Sequence, residues 1–240
     1  GKHVLVEKPM CFSVAEGLEM KVAADEAGVT LMVAYPKRYD PAFERFRDVA
    51  GSVTDPRLLR VTTFESPFLP YIGHYSLAPV SPIPDEAIAN FRAETAASIT
   101  RAIGEATPFL REEYHFVLLD TLVHELNTVR GVLGEPTSLE YVDMQSGQLT
   151  VNLKFGELSV AIHWLDLPGI TRYEMEFALY GPHERVTLSF PSPFLRSAPA
   201  TVEIIEGEPG TPRSRSINEI VSYESSFKLE LEAFHDCVVA

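Results

Sequence analysis

Little in this sequence can staple a chain or span a bilayer. Only two of 240 residues are cysteine, Cys11 and Cys237, near opposite ends. Their spacing suits neither a metal site nor a disulfide framework. Such scarcity suits a reducing compartment, and the expectation is a cytoplasmic protein. No apolar run approaches the roughly 18 residues that cross a membrane. Positive charge is also short: 20 Lys and Arg stand against 34 Asp and Glu, a formal net charge of −14. That surface repels phosphate backbones and anionic lipid, so neither nucleic acid nor a membrane surface is an expected partner. Gly-x-Gly-x-x-Gly, Gly-x-Ser-x-Gly and the phosphate-loop motif Gly-x-x-x-x-Gly-Lys-[Ser/Thr] are absent from the chain, as are internal repeats and low-complexity tracts. What remains is 45% hydrophobic and 22% charged. That balance belongs to a globular chain with a core, in one or two domains.

Val4-Leu5-Val6 reads as a strand buried on both faces, the pattern of a parallel sheet. Ser13-Val14-Ala15-Glu16 is a capping box. Val14, Leu18 and Val22 then recur every four residues until Gly28 stops the helix. Leu31-Met32-Val33-Ala34 is the next apolar run, which completes a strand–helix–strand unit with parallel strands. Parallel strands need further neighbours. The chain starts at Gly1-Lys2-His3 without methionine and stops at Cys237-Val238-Val239-Ala240 within an apparent helix. The expectation is therefore a piece of a longer protein.

Beyond Pro36, Phe43, Phe46 and Val49 suggest a helix, and Leu59 to Phe64 a strand. A proline-rich excursion follows (Pro67, Pro70, Pro79, Pro82, Pro84, Pro108), with a helical stretch around 85–104. Its length favours a lid or an interface arm. Residues 114–134 read as one amphipathic helix striped by Leu119, Leu122, Val123, Leu126, Val129 and Leu133. After Gly134, alternation through 149–155, 158–164, 173–179 and 186–190, with a further strand at 202–205, predicts an antiparallel sheet. Pro209 to Ser216 reads as a polar loop.

Glu7-Lys8-Pro9 ends the first parallel strand, where ligands of open α/β sheets bind. Lys8 is placed to meet one there, and a cis Lys8–Pro9 bond would fix its direction. A solvated charged strand end fits the same tripeptide. Tyr35 to Tyr39 should border the same crevice, with Arg38 either on a substrate or in an ordinary ion pair. Asp120, His124 and Asn127, at i, i+4 and i+7, share one helical stripe. Aspartate could orient the imidazole and histidine could move a proton; a structural histidine fits too. Zinc is the weaker reading, since two ligands do not make a site. Tyr71, His74 and Tyr75 could cover a pocket or simply pack a loop. His163 falls on the polar face of the sheet, where it could approach a ligand or lie buried.

The segment from Gly1 to Pro9 closely resembles the hallmark of the Gfo/Idh/MocA oxidoreductases. The likeness continues through the capped helix, Thr30 to Ala34, Arg38-Tyr39-Asp40-Pro41, Asp120-x-x-x-His124 and Gly134-Glu135-Pro136. It implies an α/β plus α+β fold: residues 1–40 as the C-terminal part of a Rossmann domain, and 41–240 as a domain with an open, mainly antiparallel sheet. It implies NAD or NADP as cofactor, held in part by Glu7, Lys8 and Pro9. A sugar, polyol or related small molecule would meet Lys8, Arg38, Asp120 and His124, of which Lys8, Asp120 and His124 are catalytic. It also implies a homodimer or homotetramer through the open sheet. The chain departs from the family in Glu112-Glu113-Tyr114-His115-Phe116, where glycines are usual, and in Asn127, where an acid is common. A non-catalytic sugar-binding or assembly protein on the same fold stays open. With the phosphate loop outside the sequence, the chain alone is expected to bind NAD(P) poorly.

Overall fold

The computed structural model describes residues 1–240 except 77–79, 196 and 240. Pro79 and Ala240, named above, therefore lie outside the described residues. In chain order come β1 (Val4–Glu7), α1 (Val14–Ala27), β2 (Leu31–Ala34), α2 (Pro41–Ala50), β3 (Leu58–Glu65), α3 (Leu69–Ile72) and α4 (Asp85–Ile103). Next are α5 (Pro108–Glu113), a π-helix (Tyr114–Leu122), α6 (Val123–Leu133), β4 (Ser138–Gln145), β5 (Gln148–Phe155) and β6 (Leu158–Asp166). Then follow β7 (Glu174–Tyr180), β8 (Glu184–Phe190), β9 (Thr201–Gly207), β10 (Ser214–Ile220) and α7 (Ser226–Val239). Pro36–Tyr39 is one short 3-10 turn. The chain divides into two compact units, 1–35 with 75–124 and 230–240, and 36–74 with 125–229.

In the first unit β1 and β2 pair in parallel, Val4 opposite Leu31 and Glu7 opposite Ala34. The Ser13 hydroxyl accepts from the Glu16 amide at 3.2 Å, and Glu16 reaches back to the Phe12 amide at 2.9 Å. Gly28 closes α1 in the left-handed region at φ +62°, a conformation that costs other residues roughly 1–2 kcal/mol. The expected apolar stripe does not seat this helix. Val14, Leu18 and Val22 are 82%, 57% and 52% exposed. The buried residue is Gly17, where a Cβ would come within 3.0 Å of Met10 and Cys11. The loop after β1 approaches α1 at that glycine, which turns the four-residue stripe outward.

The second unit is built on an eight-stranded sheet in the order β10-β9-β8-β7-β3-β6-β5-β4, antiparallel except for the parallel pair β3–β6. Alternation holds along β5 and β6, whereas β7 and β8 each bury three residues in a row, Phe177-Ala178-Leu179 and Val186-Thr187-Leu188. Leu59, Val61, Val160, Ile162, Phe177, Val186 and Leu188 point to one buried face, the arrangement that lets one side of a sheet pack while the other stays polar. Phe43 and Phe46 of α2 are fully buried. Fully buried Glu125 of α6 accepts from Thr63 of β3 at 2.6 Å. The opposite face carries Arg60 bonded to Glu176 and Arg185 bonded to Glu203. The fold is thus a parallel strand–helix–strand unit with an open, mainly antiparallel sheet.

Three details differ from the sequence reading. β10 begins at Ser214, inside the span read as loop, because Ser214, Arg215 and Ser216 are polar and the first apolar residue of the strand is Ile217, opposite Ile204. β4 was not expected; it is an edge strand, exposed over its first five residues. Residues 114–134 are not one α-helix, since Tyr114–Leu122 is π-helical and α-geometry starts at Val123. The Thr121 hydroxyl bonds back to the Val117 carbonyl at 2.9 Å within that stretch, a side-chain bond of the kind that bends helices.

Candidate active site

All parts of the best-formed polar cluster lie in the first unit. Lys8 follows β1 directly, and its bond to Pro9 is cis. Its ammonium donates to the backbone carbonyl and to Oδ1 of Asp120, both at 2.6 Å. An ammonium has three hydrogens; among the described residues one of Lys8's stays uncommitted. The Lys8 side chain is 20% exposed and that of Asp120 58%. Ion pairs as open as this contribute only about 0–1 kcal/mol, so stability alone is a poor reason for the arrangement.

Tyr35 follows β2 as Lys8 follows β1, and the two strands end side by side. The Tyr35 ring meets the His124 ring edge-on, with centroids 6.4 Å apart and planes at 89°. Asp120 and His124 are thereby both tied to the carboxyl edge of the parallel pair, one through Lys8 and one through Tyr35. Asp120 lies in the π-helix and His124 in α6, so the even 100° step assumed for their shared stripe does not hold across the junction. The partner described for Asp120 is Lys8, where the sequence reading paired it with the imidazole. The start of the π-helix is held against the same loop, as the Tyr114 hydroxyl donates to the Phe12 carbonyl and His115 packs on Phe12 at 5.7 Å. Burial is the main cause that raises the Tyr114 pKa.

Arg38 belongs to the other unit. Its Nη1 donates to the Asn127 carbonyl at 3.1 Å, and its guanidinium lies over Phe43, 5.3 Å from the ring centroid. Burial lowers its pKa. Asn127 therefore engages through its backbone, and Arg38 meets a carbonyl where an acid was one expectation. Glu7 is exposed and Pro9 half-buried at the strand end. His163 is exposed on the open sheet face, its Nδ1 3.3 Å from Thr150 Oγ1. Tyr71 acts as a latch, since its hydroxyl accepts from the Tyr173 amide at 3.0 Å. Among the described residues no group of three or more His, Cys, Asp or Glu could hold a metal ion, and no helix is long and apolar enough to cross a membrane.

Sequence reasoning missed Glu230. It is 3% exposed on α7 and accepts from the Tyr35 backbone amide. The apolar residues flanking it at −3 and +1, Phe227 and Leu231, are themselves 53% and 57% exposed, so the helical pattern carried no signal of its burial.

Residues 1–35 match the profile of an oxidoreductase family with an NAD-binding Rossmann fold, Gfo/Idh/MocA. The oxidoreductase YrbE of Bacillus subtilis (strain 168) is 36% identical over 75 residues, 30% of this chain and 22% of that protein. The scyllo-inositol 2-dehydrogenase (NADP(+)) IolW of the same organism is 41% identical over 64 residues, 26% of this chain and 18% of that protein. The matched stretches are thus about a fifth of those relatives. Among solved structures, the 3-ketoreductase KijD10 of Actinomadura kijaniata, in complex with TDP-benzene and NADP, superposes with a TM-score of 0.65 at 15% identity. That superposition covers 100% of this chain and 62% of KijD10. The UDP-N-acetylglucosamine 3-dehydrogenase GnnA of Acidithiobacillus ferrooxidans gives 0.62 at 16% identity, over 99% of this chain and 63% of that one. At such identities the likeness is one of fold.

Proposed function

We propose, from the match of residues 1–35 to the Gfo/Idh/MocA oxidoreductases, that the whole protein is an NAD(P)-dependent oxidoreductase. Its substrate is a sugar, polyol or related hydroxyl or carbonyl compound. The observation that carries this reading is the Lys8 ammonium. It is fixed by two bonds to Asp120 and keeps one hydrogen uncommitted at the carboxyl edge of parallel strands. Residues 1–40 serve as part of the dinucleotide-binding domain and 41–240 as the substrate and assembly part.

The side chains present fit the nicotinamide end of such a cofactor. They can donate hydrogen bonds and move a proton, and none of Lys8, Asp120 and His124 can accept a hydride. A nicotinamide would supply that acceptor or donor when bound, and Glu7, Lys8 and Pro9 are the residues that would hold it. Lys8 donates its remaining hydrogen to the substrate oxygen. Asp120 holds the amine in place, so orientation is prepared before substrate arrives. In the oxidative direction His124 takes the hydroxyl proton as the carbon gives up its hydride; in reduction it returns the proton. For Arg38 the contacts favour a positioning role on α6 over direct substrate contact.

Turnover of a sugar and polyol panel by the full-length protein, with NAD+ and NADP+, tests this. Lys8→Ala or His124→Ala should each lower kcat by roughly two to four decades. Unchanged turnover in both variants would overturn the assignment. The second reading, a sugar binder without chemistry, draws on Asn127, whose buried Oδ1 has no hydrogen-bond partner. It predicts thermal stabilisation by one panel member with no turnover of any.

A further inference from the structure

Glu230 is a buried acid that the chemistry above does not use. Burying a carboxyl costs free energy unless hydrogen bonds compensate. Here one bond is identified, from the backbone amide of Tyr35, while Oε1 is buried with no hydrogen-bond partner. Burial is the larger cause that raises the Glu230 pKa, and the charge of Glu7 adds to it. An acid kept under those conditions does little for stability, which directs attention to what it holds. Tyr35 is the first residue past β2, and its amide lies beyond the last register pair, Glu7 with Ala34. A carboxyl oxygen on that amide fixes the backbone as it leaves the strand. The Tyr35 ring departs from that fixed backbone and stands edge-on to His124. Glu230, Tyr35 and His124 all belong to the same compact unit.

We propose that Glu230 is a positioning residue for His124, acting through the Tyr35 backbone and ring. The inference rests on the proton-transfer role given to His124 above. Glu230 touches no reacting atom; it sets where the imidazole stands.

The test uses the full-length protein with Glu230→Gln, Glu230→Leu and Tyr35→Leu. Glutamine keeps an acceptor oxygen and removes the charge, whereas leucine removes the acceptor. Leucine also removes an unpaired buried carboxyl oxygen, and Glu230→Met serves if leucine does not fold. The first readout is the His124 ring C–H signal in proton–carbon NMR, assigned by its loss in His124→Gln. The second is kcat and KM with scyllo-inositol and NADP+ as probes. Glu230→Leu is expected to move the His124 signal in the direction that Tyr35→Leu moves it, and Glu230→Gln to leave it in place. With it, kcat should fall about tenfold in Glu230→Leu at unchanged KM, and the glutamine variant should restore it; misplacements near 1 Å reach that size. A His124 signal that responds to Tyr35→Leu and ignores both Glu230→Leu and Glu230→Met overturns the inference. If the signal moves as expected but His124→Ala turns over normally, the link stands and the proposed function is what fails.

Discussion

Gly131 of α6 carries no side chain for a reason that can be measured. A Cβ built there falls 2.5 Å from Cζ and Nε of Arg38 and 2.7 Å from its Nη1. Carbon atoms rest at about 3.5–4.0 Å, so Gly131→Ala forces the guanidinium back by roughly 1 Å. Its bond to the Asn127 carbonyl is 3.1 Å long and is lost by about 3.6 Å. A hydrogen bond from a charged donor contributes roughly 1.5–3 kcal/mol. Against that, alanine gains about 0.8–1.0 kcal/mol over glycine inside a helix. The loss wins, and Gly131→Ala should destabilise by roughly 0.5–2 kcal/mol. In an Arg38→Ala background both the clash and the bond are gone while the helix gain stays. The same substitution should then stabilise by about 1 kcal/mol. Urea unfolding of the four proteins in the cycle reads both values. The reversal of sign is the test. Stabilisation by Gly131→Ala in both backgrounds would refute the reasoning, and destabilisation in both would place its cause away from Arg38.

Other outcomes follow from the same contacts. Asp40 caps α2 by accepting from the Ala42 amide at 2.9 Å, so Asp40→Ala should cost about 1 kcal/mol, read as a fall in Tm of roughly 2–4 °C. Burial raises the pKa of Glu230, so its native carboxyl holds a proton that the unfolded chain gives up at lower pH. Its contribution to stability is greatest below the ordinary carboxyl value and falls as pH rises through the window up to the raised one. Glu230→Gln should flatten the stability–pH curve across that window, and an unaltered curve would count against it. Glu219 behaves oppositely, because the hydrogen bond from Arg45 lowers its pKa. The stability it lends is present above the ordinary value and lost as pH falls through the lowered one, so Arg45→Met should weaken acid sensitivity. The full-length protein is expected to form a homodimer or homotetramer through the open face of β5 to β8, and light scattering that finds only monomer would exclude this.

Much of the candidate site was legible in the residues. Lys8, Asp120 and His124 were candidates from strand-end position, helical spacing and resemblance, and the structure brings Lys8 onto Asp120 and Tyr35 onto His124. The separation of 112 positions between Lys8 and Asp120 leaves no local signal of which atoms meet. Asp120 was paired with the imidazole because an α-helical step was assumed, and the π-helix changes that step. Glu230 was passed over because an acid in an amphipathic helix reads as surface until its neighbours are known.

Determined by the sequence alone were features whose physics is local or periodic. Ser13 and Glu16 cap α1 because they sit three residues apart, Gly28 ends it because the left-handed turn needs no Cβ, and β5 and β6 bury alternate residues because a strand repeats every two. Tertiary structure alone decided which face of α1 is buried, the parallel pairing of β3 with β6, the place of Arg38 against Gly131 and the meeting of Glu230 with Tyr35. Each of those depends on a close approach between segments far apart in the chain, where excluded volume and desolvation, and not the composition of either segment, select the partner.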